Sequence, residues 1–274
     1  MENVFSFLKG TVTIMLPIFF ASLGGLFPAI CGALNIALEG LILISAFSSL
    51  AVFYFTGNIF LAVISAIFAA LVFSILHSYA AFKLKTNLFI SGLAINLFSS
   101  GLCIILSDKI FKTKGVVAVE NSGSVTHIYI FIALFLLAAS WIAIYKTPFG
   151  YRLRACDKNR DALVSLGINP KIYQTSAILI SGVFCGIGGS FLSLNLGAYV
   201  PEMSAGKGWI ALAVIFLGMR RPFGVLAGAF VFALAECFSN YAQGFWSIPS
   251  GFILAIPYIC TLAALIIASI IPKK

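Results

Sequence analysis

Residues 38–56 (LEGLILISAFSSLAVFYFT) and 58–78 (NIFLAVISAIFAALVFSILHS) are two long apolar runs that follow each other almost without a break. Glu39 near the start of the first run and His77 near the end of the second are their only titratable acidic or basic side chains. A helix needs roughly 20 mainly apolar residues to cross the hydrocarbon core of a bilayer. The two runs therefore predict two consecutive transmembrane helices.

The same pattern extends over the rest of the 274-residue chain. Hydrophobic residues make up 61% and charged residues 9%, whereas soluble domains have about 45–50% and about 25%, which excludes a soluble enzyme and a disordered protein. The net charge of +9 does not indicate nucleic-acid binding, because the basic residues lie between apolar runs. We predict an all-α polytopic membrane protein, a single transmembrane domain over residues 1–274, with about nine spans near 11–31, 38–56, 58–78, 88–107, 128–145, 174–196, 208–219, 222–243 and 250–271.

The charged loops predict the orientation of the spans, because cytoplasmic loops are enriched in Lys and Arg. The loop 146–173 is the most basic of them, and we place it in the cytoplasm. Alternation of the spans then puts twelve of the 17 basic residues inside and the N-terminus outside. Lys207 is among the five basic residues that this topology leaves outside.

Residues 159–167 within the basic loop are expected to form a short helix. Asp157 or Asn159 is a suitable N-cap, and Gly167 followed by Pro170 is a typical helix end. An amphipathic helix among charges can dock on a protein or lie on a membrane surface. The alternative interpretation is an ordinary basic loop that only fixes the topology.

A few polar side chains fall inside or beside the apolar runs, where they are costly and often functional. They are candidates for lining a path for a hydrophilic solute. Each could instead only bond a neighbouring helix, and for Glu39 a structural or gating role is favoured over contact with a ligand. The predicted pathway residues are Asn35, Glu39, Asn96, Asn195 and Glu236.

No catalytic or metal-binding motif is visible in the sequence. The six cysteines contain no CxxC pair, and His77 and His127 have no second ligand at metal spacing. Gly206-Lys207-Gly208 is not a P-loop, because Ser or Thr does not follow the lysine. We therefore expect no cofactor in this chain, and any ATP dependence must come from another subunit.

Glycine and proline predict where helices break or approach closely. Pro17, Gly24, Gly25 and Pro28 in the first span indicate a broken or kinked helix. Gly182 and Gly186 form a GxxxG pattern that lets helix backbones pack closely. The pattern is compatible with packing within the subunit, packing between subunits or a moving seam.

Three segments resemble the permease subunits of bacterial ABC importers for simple sugars, nucleosides and branched-chain amino acids. Residues 32–47 (GALNIALEGLILISAF) resemble the GxxNIGxEG signature of the nucleoside and simple-sugar branch. Residues 147–189 resemble the TPFGxRLRAVGENPxAAxxxGI block and its following helix, with Asp157-Lys158 in place of Gly-Glu. Residues 206–230 resemble the GxGFIALAVVIFGxxxP block.

The resemblance implies a multi-pass subunit of the bacterial inner membrane, the shorter of two unlike permeases. Its implied partners are a second permease, a tandem ATPase that binds ATP and Mg²⁺, and an extracytoplasmic binding lipoprotein, besides membrane lipid. The matching block implies a coupling helix that docks on the ATPase, carried by Arg152, Arg154, Asp157, Asn159, Arg160, Asp161 and Gly167.

The branch signature implies nucleosides as the transported solute. The first alternative is an importer of a simple sugar such as ribose or galactose, which would share every quoted motif. A second alternative is an ion-coupled transporter or channel, which would leave the basic loop unexplained. An intramembrane enzyme using Glu39 or Glu236 is disfavoured, because neither has a visible catalytic partner.

Overall fold

The computed structural model describes residues 2–119 and 125–242, which form a helical bundle. Seven helices in this part are long and apolar enough to cross a membrane. A two-residue antiparallel ladder joins β1 (Val117–Ala118) to β2 (Ala198–Tyr199). The long helices are α1 (Glu2–Ile30), α2 (Leu38–Thr56), α3 (Ile59–Ser78, continued by a π-helical turn at Tyr79–Lys83), α4 (Leu88–Phe111), α5 (Thr126–Lys146), α8 (Pro170–Leu196) and α10 (Pro222–Ala242).

Three shorter helices complete the described part: α6 (Pro148–Lys158), α7 (Arg160–Ser165) and α9 (Lys207–Leu217). Helix α9 replaces the predicted seventh span. Its 11 residues extend roughly 16 Å at 1.5 Å per residue, about half of the hydrocarbon core. The prediction that residues 208–219 form a full span is therefore wrong, and the predicted ninth span, 250–271, lies outside the described residues.

Helix α8 lies at the centre of the bundle and packs against α1, α2 and α3. Its glycines face these helices: a Cβ on Gly186 would lie 2.6 Å from the Cα of Ile67 in α3. A Cβ on Gly189 would lie 2.5 Å from the carbonyl oxygen of Ile42 in α2. Within the described part, the small residues predicted to allow close packing therefore do so inside the subunit.

The first span is one helix that continues through Pro17 and Pro28, so of the two predicted forms, broken or kinked, the broken one does not occur. The break lies just beyond it, at residues 31–37, which we call the α1–α2 connector. A Cβ at Gly25 would lie 2.8 Å from the side chain of Leu38 at the start of α2, so this glycine leaves room for that side chain. The start of α2 is thus packed beside the last turns of α1.

The outward faces of α3, α4 and α5 are apolar and exposed. Phe60, Phe68, Leu97, Phe131 and Phe135 are each more than two-thirds exposed. Such a surface is stable only in an apolar solvent, as expected of helices that face lipid.

Candidate functional site

The α1–α2 connector is held by hydrogen bonds that begin at Asn35. The Asn35 amide nitrogen donates to the hydroxyl of Ser181 at 2.6 Å, and its amide oxygen accepts from the backbone N–H of Ala37 at 3.0 Å. Ser181 lies roughly 16 Å along α8 from the start of that helix, so the connector reaches the interior of the bundle. Asn35 is fully buried, and its amide stabilises the connector.

Asn96 of α4 caps the start of α2. Its amide oxygen accepts from the N–H of Gly40 at 2.8 Å, and its amide nitrogen donates to the carbonyl of Ile36 at 3.0 Å. These two backbone groups lie where the connector meets α2, and the first turn of a helix leaves N–H groups without partners within the helix. Asn96 thus has the structural role of an N-cap supplied by another helix.

Glu39 performs the same task for α9. Its two carboxylate oxygens accept from the backbone N–H groups of Gly206 at 2.8 Å and Gly208 at 2.6 Å. A negative charge at a helix N-terminus is favourable because the free N–H groups and the helix dipole carry positive charge there. The favoured structural role for Glu39 agrees with this geometry, although its partner helix was not predicted.

The Gly-Lys-Gly sequence at 206–208 explains how this contact forms. Gly206 has a φ of +81°, a conformation that glycine adopts without steric cost. A Cβ on Gly208 would lie 2.5 Å from the Cα of Glu39 and closer still to its backbone nitrogen. The two glycines on either side of Lys207 are visible in the sequence, but no structural role was predicted for Gly206 or Gly208.

Lys207 lies between the two glycines and pairs with Glu236 of α10. The lysine nitrogen is 3.8 Å from the nearer Glu236 oxygen, and the side chains are 12% and 24% exposed. Lys207 therefore lies at the start of the half-length helix and faces an acid. Its location on the outer side of the membrane stays a prediction. The arrangement combines Glu39, Lys207 and Glu236 in one cluster, which we call the α9 charge cluster.

Asn195 is separate from this cluster. It lies near the end of α8, and its amide oxygen accepts from the hydroxyl of Thr126 at the start of α5, at 2.9 Å. The β1–β2 ladder lies at the same end of the bundle, because β2 follows α8 directly. Asn195 thus joins two helix ends, and the structure does not bring it together with the other predicted pathway residues.

The basic loop contains two helices, one of which was not predicted. Helix α6 begins at Pro148, where the Thr147 hydroxyl accepts from the N–H of Gly150 at 3.2 Å. The predicted helix over 159–167 corresponds to α7, and Gly167 ends it with a φ of +74°. Within the described part, Asn159 precedes α7 but its side chain makes no capping hydrogen bond, because the backbone there is not in the usual cap conformation.

The predicted coupling residues divide into two groups. Three of them bind within the subunit: Arg152 donates to the Tyr173 hydroxyl at 2.8 Å, Arg154 stacks between Tyr145 and Tyr151, and Asp157 pairs with Arg220. The others lie on the exposed surface of α7 and its flanks: Asn159, Arg160, Asp161 and Gly167.

Two apolar side chains of α7 complete its exposed surface. Val164 is 58% exposed and Leu166 is 75% exposed. Exposed apolar groups beside opposite charges are typical of a protein-docking surface.

Cys31 of the α1–α2 connector and Cys156 of α6 are neighbours, and the Cys156 thiol donates to the carbonyl of Pro170 at 3.9 Å. Burial, and then the neighbouring Cys156, raises the pKa of the Cys31 thiol. Burial likewise raises the pKa of Cys156. Both therefore stay protonated at neutral pH, and the described residues contain no cluster of three or more metal-ligating side chains.

Replacing Asn96 by leucine is expected to lower the amount of assembled permease. The substitution leaves the Gly40 N–H and the Ile36 carbonyl without partners, at a cost of about 1–3 kcal/mol for each buried group. Membrane-fraction yield after gel filtration measures this effect. Full yield together with reduced uptake would instead identify Asn96 as a pathway residue.

Comparisons with known proteins assign the chain to a family. The family model described as the branched-chain amino acid transport system permease component matches residues 7–268. The chain is 31% identical to the guanosine ABC transporter permease protein NupQ of Bacillus subtilis, over 93% of this chain and 89% of that protein. It is 30% identical to the nucleoside ABC transporter permease protein NupC of Lactococcus lactis, over 91% and 87%.

A solved structure shows the same fold. PsaBC from Streptococcus pneumoniae, in complex with Fab, superimposes with a TM-score of 0.59 over 98% of this chain and 92% of that chain. The identity is 12%, so this likeness supports the fold alone. The resemblance inferred from the three sequence segments is confirmed, and the chain belongs to the permease component family of branched-chain amino acid transport systems, as a multi-pass protein of the bacterial cell membrane.

Proposed function

We propose that this chain is the transmembrane subunit of an ATP-dependent ABC importer and forms half of a translocation path for nucleosides. The observation that carries the proposal is the similarity, over about nine-tenths of the chain, to permeases named for guanosine and nucleosides. The other half of the path belongs to a second permease subunit. An extracytoplasmic binding lipoprotein delivers the solute.

The α9 charge cluster supports a polar path in an otherwise apolar bundle. Glu39 and Asn96 are occupied by backbone groups, and Asn35 by the Ser181 hydroxyl and the N–H of Ala37. Glu236 instead pairs with the side chain of Lys207, and both side chains are partly exposed. Intramembrane ion pairs are rare and usually face a cavity or another helix. A nucleoside offers hydroxyl and base donors and acceptors that such a pair can bind.

Replacing Glu236 by glutamine is expected to lower nucleoside uptake several-fold while the assembled complex keeps its yield. The amide retains the shape of the side chain but leaves the Lys207 ammonium without its carboxylate. Initial uptake rates, normalised to the complex in the membrane, measure the effect. Glu202→Gln is the control, because Glu202 is an exposed acid, and equal uptake by both variants would remove Glu236 from the path.

We place the docking surface for the tandem ATPase on α7. Its support is the exposed combination of Arg160 and Asp161 with Val164 and Leu166. An amphipathic helix of this kind binds in an apolar groove of a partner. ATP and Mg²⁺ bind to that partner, and this chain contributes the helix on which the ATPase acts.

Reversing the charge of Arg160 to glutamate is expected to reduce co-purification of the ATPase several-fold, because the side chain is exposed at the docking surface. The ratio of ATPase to permease after affinity purification is the measurement. Lys171→Glu serves as the control, since Lys171 is an exposed base in the same loop but lies outside α7. An unchanged ratio in Arg160→Glu would contradict the placement on α7.

Uptake of radiolabelled adenosine, guanosine and ribose tests the whole proposal. A deletion strain is compared with the same strain carrying this gene, each with and without ATP depletion. Gene-dependent and ATP-dependent nucleoside uptake supports the proposal. Uptake of ribose alone overturns the substrate class, and uptake that depends on an ion gradient but not on ATP overturns the mechanism.

A further inference from the structure

Asp157, near the end of α6, contacts two connectors of the bundle at once. One of its carboxylate oxygens lies 3.3 Å from the guanidinium of Arg220, in the turn 218–221 between α9 and α10. Its other oxygen would lie 2.7 Å from a Cβ at Gly32, which has a φ of +70° in the α1–α2 connector. The carboxylate is therefore ion-paired with one connector and lies close against the other.

The two connectors meet again in the interior of the bundle. The α1–α2 connector leads to Glu39, whose carboxylate binds the start of α9 through Gly206 and Gly208. The turn 218–221 closes the other end of α9, where the Arg220 N–H donates to the carbonyl of Ile215 at 3.0 Å. Each end of this half-length helix thus leads, through a short segment, to a residue beside Asp157: Arg220, which is ion-paired with it, and Gly32, which lies close to it.

Helices α9 and α10 form a tight hairpin. A Cβ on Gly218 would lie 2.5 Å from the backbone of Gly224, so the two helices are in backbone contact beside the turn. Lys207 on α9 and Glu236 on α10 form an ion pair further along the same hairpin. Displacement of the turn therefore acts on the two helices that carry this pair.

We infer that Asp157 is a positioning residue that transmits movement of the basic loop to the α9–α10 hairpin, through Arg220 at one end and Glu39 at the other. The inference rests on the proposed function, because it assigns a route between the ATPase-facing loop and the solute path. The route passes through an ion pair whose side chains are 39% and 44% exposed. The charge of either side chain in such an exposed pair can therefore be reversed by substitution without burying an unpaired charge.

The experiment uses the complete complex of both permeases and the ATPase in proteoliposomes, with the binding protein supplied. The variants are Asp157→Arg, Arg220→Asp, the double exchange of the two, and Arg221→Asp as a control at the exposed neighbour of Arg220. ATP hydrolysis and nucleoside uptake are measured on the same vesicles. The ratio of uptake to ATP hydrolysis measures coupling. A loss of folded complex would lower both quantities together and leave this ratio unchanged.

Each single reversal is expected to lower uptake per ATP hydrolysed by up to about fivefold, which is the upper end of the value of an exposed ion pair. The double exchange restores at least half of the wild-type ratio, and Arg221→Asp keeps it. Unchanged coupling in the single variants, or no restoration by the exchange, overturns the inference. A wild-type complex without ATP-dependent nucleoside uptake would instead overturn the proposed function, and the inference with it.

Discussion

Replacing Gly208 by alanine is expected to prevent α9 from docking on Glu39 and to remove most of the assembled permease. The added Cβ would overlap the backbone of Glu39, 2.5 Å from its Cα. Neither backbone can move independently, because Glu39 lies in the first turn of α2 and Gly208 in the first turn of α9. Overpacking at such a site costs about 1–3 kcal/mol, before any loss of the hydrogen bonds to Glu39.

The yield of monodisperse complex and its melting temperature in detergent measure this effect. Gly101→Ala is the matched control, because it makes the same change inside the long helix α4. No heavy atom among the described residues, apart from the helix itself, lies within 4 Å of a Cβ at Gly101. Alanine is favoured over glycine in a helix by about 0.5–1 kcal/mol, so the control is expected to retain or gain stability. Equal behaviour of the two variants would show that α9 does not dock as described.

The helical bundle could be predicted from the sequence because long apolar runs such as 38–56 and 58–78 have few alternatives. Spans of about 20 apolar residues satisfy their own backbone groups only as helices. The half-length helix α9 was counted as a span because hydropathy reports how apolar a segment is, and not how deep in the membrane the segment begins. Residues 208–219 are apolar whether they cross the bilayer or begin inside it.

The polar residues illustrate what sequence alone cannot assign. Asn35, Glu39 and Asn96 were recognised as unusual, but their partners lie up to 169 positions away in the chain. A buried amide or carboxylate binds whatever donors the fold brings near it, so only the fold distinguishes a cap from a solute ligand. The pairing of Lys207 with Glu236 of α10 was not predicted either, because charge counting reports the side of the membrane and not the partner of a charge.

The basic loop 146–173 shows the same division. Gly167 and Pro170 marked the end of α7 and the approach to α8 correctly, because glycine and proline act through local backbone geometry. Helix α6 was not predicted. It begins with Thr147 and Pro148, and a proline is as common in turns as at the first position of a helix. Arg154 looked like a docking residue by charge, yet its guanidinium stacks on Tyr145 and Tyr151.

Replacing Glu39 by alanine is expected to reduce the assembled permease about tenfold or more. The substitution leaves the N–H groups of Gly206 and Gly208 without their acceptors, at about 1–3 kcal/mol each. It also removes the charge that stabilises the α9 N-terminus. Because these hydrogen bonds are partly buried in the bundle, water replaces the carboxylate less completely than at a protein surface.

One further variant separates the hydrogen bonds of Glu39 from its charge, and a second variant is its control. Glu39→Gln keeps one acceptor oxygen but turns an amide donor toward the second N–H, so its assembly is expected to fall between wild type and Glu39→Ala. Glu202→Ala is the control, because Glu202 is an exposed carboxylate that accepts from the Ser100 hydroxyl, and its loss is expected to change assembly by less than about twofold. If Glu39→Ala assembled at full yield and lost only uptake, Glu39 would bind solute and α9 would need another cap.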